Sequence, residues 1–592
     1  MAGSKFVLNV EDPFAPISFK NSLGFKTGRQ RSERPFFINK TAPCRQACPI
    51  GVDIPAAFYR ASKEDVDGAL SIYLQENPLP GVCGRVCYHP CERECNRGNF
   101  DEPANIRTFE RFLSDCGRVN IEKDVPLNSK KKKIAIIGSG PAGLSAAYHL
   151  ARTGYSVTLF EARAELGGML RYGIPSYRLP GSILDREIER ILSLGVHPQL
   201  KTAIGKDLDW KDLDSFDAIF ISIGLQLGKV LFEGEVSEDN LISGVDFLAD
   251  SRKWSQEDPG QKTIIIGGGN VAIDVARTLL RLRRGKGDNI TLICPESREQ
   301  MPALSEEISE ALEEGIAILN GWAPHRPHQE SKKLLSLDFY RAEVKKDEET
   351  GSVKIIPVGQ EVQNHRADKI IMAIGQTMEP FRLNPWMAME KDRIHIDPFG
   401  RTTLPKVFAG GDSAGGKAFV ADAIASGKMG ALGIICFLEG QEVEEVFQAH
   451  RIGNGSAFSF QLLIDKAGKD FPDLKRVTFF DHVNTLFFSP TARNNPHKMD
   501  PEKRKEIFAE VTSGYKVGGF KEEIFRCFNC GTCIDCGNCI DFCPDISILK
   551  DAKSGRYEFD SDYCKGCGIC SLACPRNVIA MVGESNENAP NG

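Results

Sequence analysis

The sequence predicts a multidomain chain: a helical N-terminal domain, two Rossmann-type α/β units with the second inserted in the first, and a small α+β domain at the C-terminus. Three observations predict it. Apolar strands run into glycine-rich turns and then helices twice, from Ile134 and from Thr263. All but three of the 19 cysteines fall in two clusters near the chain ends. The 592 residues also suit about four domains, at roughly 150 residues each.

Composition sets the outer limits. A hydrophobic share of 41% and a charged share of 26% are ordinary for a folded soluble protein. A net charge of −6 and a pI near 6.0 argue against nucleic-acid or anionic-membrane partners. The basic run Lys130 to Lys133 reads as a solvated linker. Met1 to Glu11 has no secretory pattern, and the apolar stretch Gly430 to Leu438 is too short for a membrane span. The expected location is cytoplasmic. In that reducing compartment clustered cysteines point to metal or redox chemistry, while the isolated Cys116, Cys294 and Cys436 read as inert small hydrophobes.

The C-terminal cysteines give the sharpest signal. Cys533, Cys536, Cys539 and Cys543-Pro544 fit C-x2-C-x2-C-x3-C-P, and so do Cys564, Cys567, Cys570 and Cys574-Pro575. This is the spacing of a bacterial ferredoxin with two [4Fe–4S] clusters, where the fourth cysteine of each run crosses to the other cube. The expected sets are therefore Cys533, Cys536, Cys539 with Cys574, and Cys564, Cys567, Cys570 with Cys543. Zinc does not explain two triplets each with a Cys-Pro. Cys527 and Cys530 are surplus to this pattern and have no assigned role.

The first glycine turn is Gly138-x-Gly140-Pro141-Ala142-Gly143, and the strand after its helix ends in Glu161. Such a turn lets a pyrophosphate approach the backbone at a helix N-terminus, and the acid takes a ribose hydroxyl. The second turn places Gly267, Gly269 and Ala272 in the same pattern, and its next strand, Ile290 to Cys294, leads to Pro295-Glu296. Two such sites suggest a flavin facing a nicotinamide. The segment Val407 to Asp412, ending in Gly410-Gly411-Asp412, supports this.

Between about residues 35 and 440 the chain resembles the family of glutamate synthase small subunits and the N-terminal half of dihydropyrimidine dehydrogenase. The resemblance rests on CGRVC at Cys83 to Cys87, GGMLRYGIPSYRLP from Gly167, GGGNVAIDVART from Gly267, SREQMPA from Ser297 and VFAGGD from Val407. It implies FAD on the first unit and NAD(P)H on the second. The implied flavin contacts are Gly138, Gly140, Pro141, Ala142, Gly143, Glu161, Gly167, Gly168, Arg178, Gly411 and Asp412. Those for the nicotinamide nucleotide are Gly267, Gly269, Asn270, Ala272, Glu296 and Arg298. The version with a C-terminal ferredoxin domain is similar to the iron–sulfur flavoprotein of dissimilatory sulfur oxidation and to flavoprotein subunits of anaerobic 2-oxoacid and aromatic-acid oxidoreductases.

Two departures from the family carry information. Where NADPH-using members place an arginine pair, this chain has Cys294, Pro295 and Glu296, so NAD(H) is expected over NADP(H). In the N-terminal domain the ligands implied for one cluster are present: Cys48, Cys87, Cys91 and a carboxylate, Glu110. For a second cluster, two family cysteines correspond to Phe36 and Asn39. Cys44 and Cys95 remain, with Cys83 close in sequence; three cysteines cannot alone supply four thiolates, and the alternative left open is a cluster that a foreign ligand completes. One N-terminal cluster, and three in all, is the expectation.

The expected boundaries are 1–125 for the helical iron–sulfur domain, 131–245 with 368–440 for the FAD domain and 246–367 for the NAD(P) domain. A connecting segment spans 441–520, the ferredoxin domain 521–583 and a tail 584–592. The pattern from Ser62 to Leu74 predicts an amphipathic helix. The expected function is an NAD(P)H-dependent FAD/iron–sulfur oxidoreductase, with no catalytic side chain assigned. It would move electrons between NAD(H) and a redox partner protein or ferredoxin, as one subunit of a hetero-oligomer. Alternatives are a glutamate synthase small subunit, an electron-bifurcating transhydrogenase subunit, or a cluster-binding scaffold.

Overall fold

The computed structural model describes residues 26–119, 129–237, 240–251, 262–330, 335–346, 353–379, 387–465, 473–516, 518–551 and 557–584. The proposed tail beyond residue 584 lies outside them.

The strand entering the first glycine turn, Lys133–Ile137, is the centre of a five-stranded parallel sheet. Its order is Val407–Ala409, Ala218–Ile221, Lys133–Ile137, Ser156–Phe160, His197–Gln199. Ile134, Ala135 and Ile136 have no exposed surface, as expected of a parallel strand covered on both faces. Helix Pro141–Arg152 packs against helix Val420–Glu439, and a Cβ on Gly427 would meet the Ala142 carbonyl oxygen at 2.0 Å. Val420–Glu439 is long and apolar enough to cross a membrane by length and composition. Its buried residues, from Ala421 to Cys436, place it as the central core helix.

The second sheet is also parallel and five-stranded: Ala317–Asn320, Ile290–Cys294, Thr263–Ile266, Lys369–Met372, Leu241–Ser243. This corrects the expected boundaries, which gave Leu241–Ser243 and Lys369–Met372 to the first unit. Ile242, Ile370 and Ile371 are buried, and it is the second sheet that covers them. The crossing falls earlier, at an antiparallel ribbon of Leu227–Gly228 with Gln376–Thr377. A three-stranded antiparallel sheet, Trp322–Gln329, Leu335–Lys346 and Val353–Ala367, extends this unit.

The N-terminal domain is a cluster of short helices. The predicted helix spans Val66–Glu76, with the Asp65 side chain capping Gly68 N, while Ser62 ends the preceding helix Ile54–Ser62. Two ribbons join the chain ends. Glu33–Phe37 pairs antiparallel with Ile579–Gly583, and Lys40–Thr41 pairs parallel with Asp473–Val477. The connecting segment lies over the core: Glu76 accepts from Ser459 Oγ and Phe460 N, and Glu510 pairs with Arg85.

Candidate dinucleotide cavity and cysteine centres

The three glycines of the first turn solve three different problems. Gly138 adopts φ +99°, and a Cβ there would meet Ser222 O at 2.5 Å. A Cβ on Gly143 would meet Gly138 O at 2.0 Å, so only glycine lets the helix sit this close to the strand. The Cβ position of Gly140 has nothing within 4 Å and faces open space. Helix Pro141–Arg152 has no side-chain cap, which leaves its first amides free. The second turn repeats the scheme: Gly267 lies at φ +136° and a Cβ there would meet Ala373 O at 2.3 Å, Gly269 is open, and Ala272 is buried in the Gly143 position.

One cavity reaches from the first turn to the start of the helix that follows the second. Its free space, open mouth included, is about 2490 Å³. Gly138, Gly140, Pro141, Ala142, Glu161 and Gly168 line it from the first unit, Asn270 and Asp274 from the second, and Gly411 and Asp412 from the returning strand. Gly143 and Ala272 lie beneath their turns. Gly167, Gly267, Gly269, Glu296 and Arg298 are outside the lining.

The two acids differ in what they hold. Glu161 accepts from Ser139 N at 3.1 Å and Arg163 N at 2.8 Å, so the backbone fixes it at the end of its strand. Glu296 Oε2 and Arg298 Nη1 are buried without a partner, and Glu296 Oε2 would lie 2.7 Å from a Cβ on Gly268. Orphaned polar atoms beside a glycine turn fit a nucleotide that supplies their hydrogen bonds. Burial raises the Asp412 carboxyl above its ordinary value. Arg178 lines the cavity, but its guanidinium holds Asp274 Oδ2 at 2.6 Å and Glu307 Oε1 at 3.0 Å. It thereby ties the first unit to the second, a pairing that the sequence-based flavin contact did not include.

The first cysteine centre lies directly behind the cavity. Helix Pro80–Val86 has Gly81 N and Val82 N capped by Glu187, and delivers Cys87 at its C-terminal end. Val86 lines the cavity, and Tyr88 stacks on the cavity residue Phe419 at 4.4 Å. Cys48 and Cys87 each lie close enough to Glu110 to feel its charge, and Cys91 feels Cys48 and Cys87. Asn77 Nδ2 donates to Glu110 Oε1 at 2.7 Å. Burial pushes these thiols and the Glu110 carboxyl above their ordinary values. A bound metal cluster would displace their protons, so the donor set fits one. Cys83 neighbours Glu110 and Cys87, and is not grouped with Cys44 and Cys95.

In the C-terminal domain one cavity is lined by Cys533, Cys536, Cys539 and Cys574, with Pro575. Another is lined by Cys543, Cys564, Cys567 and Cys570, with Pro544. Each run thus sends its fourth cysteine to the other cavity. A further cavity, absent from the sequence reading, is lined by Cys44, Cys95, Cys527 and Cys530. The spacing gave no signal for it, because its two halves come from opposite ends of the chain.

Two dinucleotide turns around one cavity, with cysteine centres stacked behind it, define a nucleotide-dependent oxidoreductase with iron–sulfur domains. Comparison with known proteins agrees. Residues 132–427 match pyridine nucleotide-disulphide oxidoreductases, residues 25–121 the 4Fe–4S cluster domain II of dihydropyrimidine dehydrogenase, and residues 557–580 a 4Fe–4S binding domain. The chain belongs to the pyridine nucleotide-disulphide oxidoreductase family. It is similar to the NADP(+)-dependent formate dehydrogenase subunit beta of Moorella thermoacetica, 38% identical over 83% of this chain and 70% of that one. It is 35% identical to the NAD-dependent dihydropyrimidine dehydrogenase subunit PreT of Escherichia coli O157:H7, over 67% of this chain and 92% of that one. The NADPH-Fe(3+) oxidoreductase subunit beta of Geobacter sulfurreducens is 37% identical over 61% of this chain, which spans only about half, 54%, of that relative.

Proposed function

We propose that the chain is the nucleotide-oxidising or nucleotide-reducing subunit of a larger redox complex, with FAD on the first turn and NAD(H) on the second. The observation that carries this is the single cavity reaching from Gly140 to Asn270, with Val86 in its wall and Cys87 as the next residue. Bound there, the flavin supplies the conversion of a hydride into single electrons, which [4Fe–4S] clusters accept one at a time. The protein's part is placement. Gly140 and the uncapped amides after it receive a pyrophosphate, Glu161 a ribose, and Asp412 the opposite end of the flavin chain. Cys48, Cys87, Cys91 and Glu110 hold the cluster next to the flavin. The two C-terminal cavities hold the outlet pair.

Glu296 supports NAD(H), since a carboxylate repels a 2′-phosphate and accepts from a free hydroxyl. The relatives named above are split between NAD and NADP. A partner protein is supported by exposed apolar side chains on the C-terminal lobe. Leu572 is 77% exposed, Ile546 76%, and Leu486 is 91% exposed on a loop whose Asn484 donates to Leu572 O at 3.0 Å. By chemistry the partner is a one-electron acceptor or donor, and a cytoplasmic complex suits cysteines kept as thiols.

The test is anaerobic purification with release of the bound flavin, followed by NADH-driven reduction of a one-electron dye. One FAD per chain and dye reduction are expected. Protein that keeps its iron–sulfur colour but holds no flavin contradicts the proposal and favours a cluster-binding scaffold.

A further inference from the structure

We infer that Cys44, Cys95, Cys527 and Cys530 hold a fourth [4Fe–4S] cluster, assembled from both ends of the chain. The inference rests on the reading that this protein binds such clusters, and it revises the expected number from three to four.

The site is built rather than accidental. Cys44 lies in helix Pro43–Ala47, and Cys95 directly precedes the turn Asn96–Asn99. Cys527 ends helix Lys521–Arg526, and Cys530 follows three residues on. The two halves are held together by buried polar contacts. Asn96 Nδ2 donates to Cys530 Sγ at 3.2 Å and to Thr478 O at 2.8 Å. Asn529 Nδ2 donates to Pro55 O at 2.8 Å, Arg97 to Arg526 O at 2.5 Å, and Asn105 N to Glu523 at 2.8 Å. Phe58, Ile106 and Phe528 close the cavity against water.

Its size matches the other centres. Free space, open mouth included, is about 340 Å³ here, against about 310 and 370 Å³ in the two C-terminal cavities. Among the described residues no three or more His, Cys, Asp or Glu close on a single ion. A lone zinc would need its sulfurs within about 2.3 Å of one point. Four cysteines lining one apolar-walled cavity, with no such group closing on a single ion among the described residues, suit a cube.

The position gives the site a task. Cys44 and Cys48 are four residues apart, about 6 Å along a helix. Cys91 and Cys95 have the same spacing, so this site and the flavin-side centre share two short segments. On the other side, Cys530 and Cys533 are three residues apart, and Asn39 Oδ1 accepts from Cys533 N at 2.9 Å. Arg576 lies within electrostatic reach of Cys527, Cys530, Cys536 and Cys574, between this centre and the first ferredoxin cavity. The composite centre is therefore the link between flavin side and outlet. Phe36 and Asn39, which stand where the family has cysteines, dock the C-terminal lobe instead: Phe36 pairs with Ala580, and Asn39 holds Cys533.

The test is iron and sulfide analysis with spin quantification by EPR on anaerobic protein, with flavin measured alongside. The wild type should hold about 16 iron per chain, four per cube. The double variant Cys527→Ala/Cys530→Ala, and separately Cys95→Ala, should each fall to about 12 and lose the same EPR signal, with flavin retained. A wild-type count near 12, or variants that keep all their iron, overturns the inference while the flavin content leaves the proposed function standing. Protein lacking both flavin and iron sinks the proposed function itself. Should the variants not fold, native mass spectrometry of the wild type decides: four cubes support the composite centre and three contradict it.

Discussion

The two nucleotide units share the order of four strands, the turn and the helix, yet they are fastened to the molecule in opposite ways. The first unit is continuous with the N-terminal domain in one apolar core, where Ile134, Leu144 and Tyr148 belong with Leu74 and Phe109. The second has its own core and is held by ions. Arg178 reaches Asp274 and Glu307, Arg107 reaches Glu306, Lys498 reaches Glu306 and Glu310, and buried Arg504 reaches Glu313 and Glu314. The lesson is that one turn chemistry serves a fixed site in the first unit and a salt-braced site in the second.

Substitutions at the open glycines sharpen the contrast most. Gly140→Val adds atoms only to open space, so the fold should survive while bound FAD and all NADH oxidation are lost. Gly269→Val should keep the flavin and raise KM for NADH at least tenfold. Flavin content and steady-state kinetics read both, and a reversal of the two results breaks the assignment of cofactors to units.

Next in size is Gly143→Ala. Its Cβ would press on Gly138 O, and overpacking of this kind costs about 1–3 kcal/mol. The Ala272→Gly change at the equivalent place should cost only about 1 kcal/mol through helix propensity. Thermal unfolding of the two variants checks the order. Glu296→Arg should move the NADPH-to-NADH ratio of kcat/KM up by about tenfold, or about 1.4 kcal/mol. An unchanged ratio removes Glu296 from the specificity site.

The smallest effect concerns the ion brace. Burial alone would raise the Glu306 carboxyl, but Arg107 and Lys498 outweigh it and hold it at about 2, below its ordinary 4.5. Its stabilisation is complete above pH 4.5 and is lost as pH falls toward about 2. Glu306 is about a third exposed, so about 1 kcal/mol is expected after solvent screening. Glu306→Gln should flatten the acid limb of stability by that amount and leave neutral flavin content unchanged.

Both turns and both C-terminal runs were legible because each is local: strand, glycines, helix and acid follow one another within about thirty residues, and a cysteine triplet grips from one loop. What stayed hidden was non-local. Sheet membership of Leu241–Ser243 and Lys369–Met372 depends on neighbours more than a hundred residues away along the chain, which no period reveals. Cys44 and Cys95 share their cavity with Cys527 and Cys530, beyond residue 520, and long-range contacts such as the pairing of Glu33–Phe37 with Ile579–Gly583 bring those segments together. Arg178 was legible as a motif residue, but its acidic partners arrive from the second unit.

Whether electrons from NADH reach the clusters only through the flavin is read by anaerobic mixing with NADH, followed through the flavin and iron–sulfur absorbance together. Flavin colour and iron–sulfur colour should both bleach in the intact protein, and neither should respond in Gly140→Val. Iron–sulfur bleaching by NADH in protein without flavin would contradict that route.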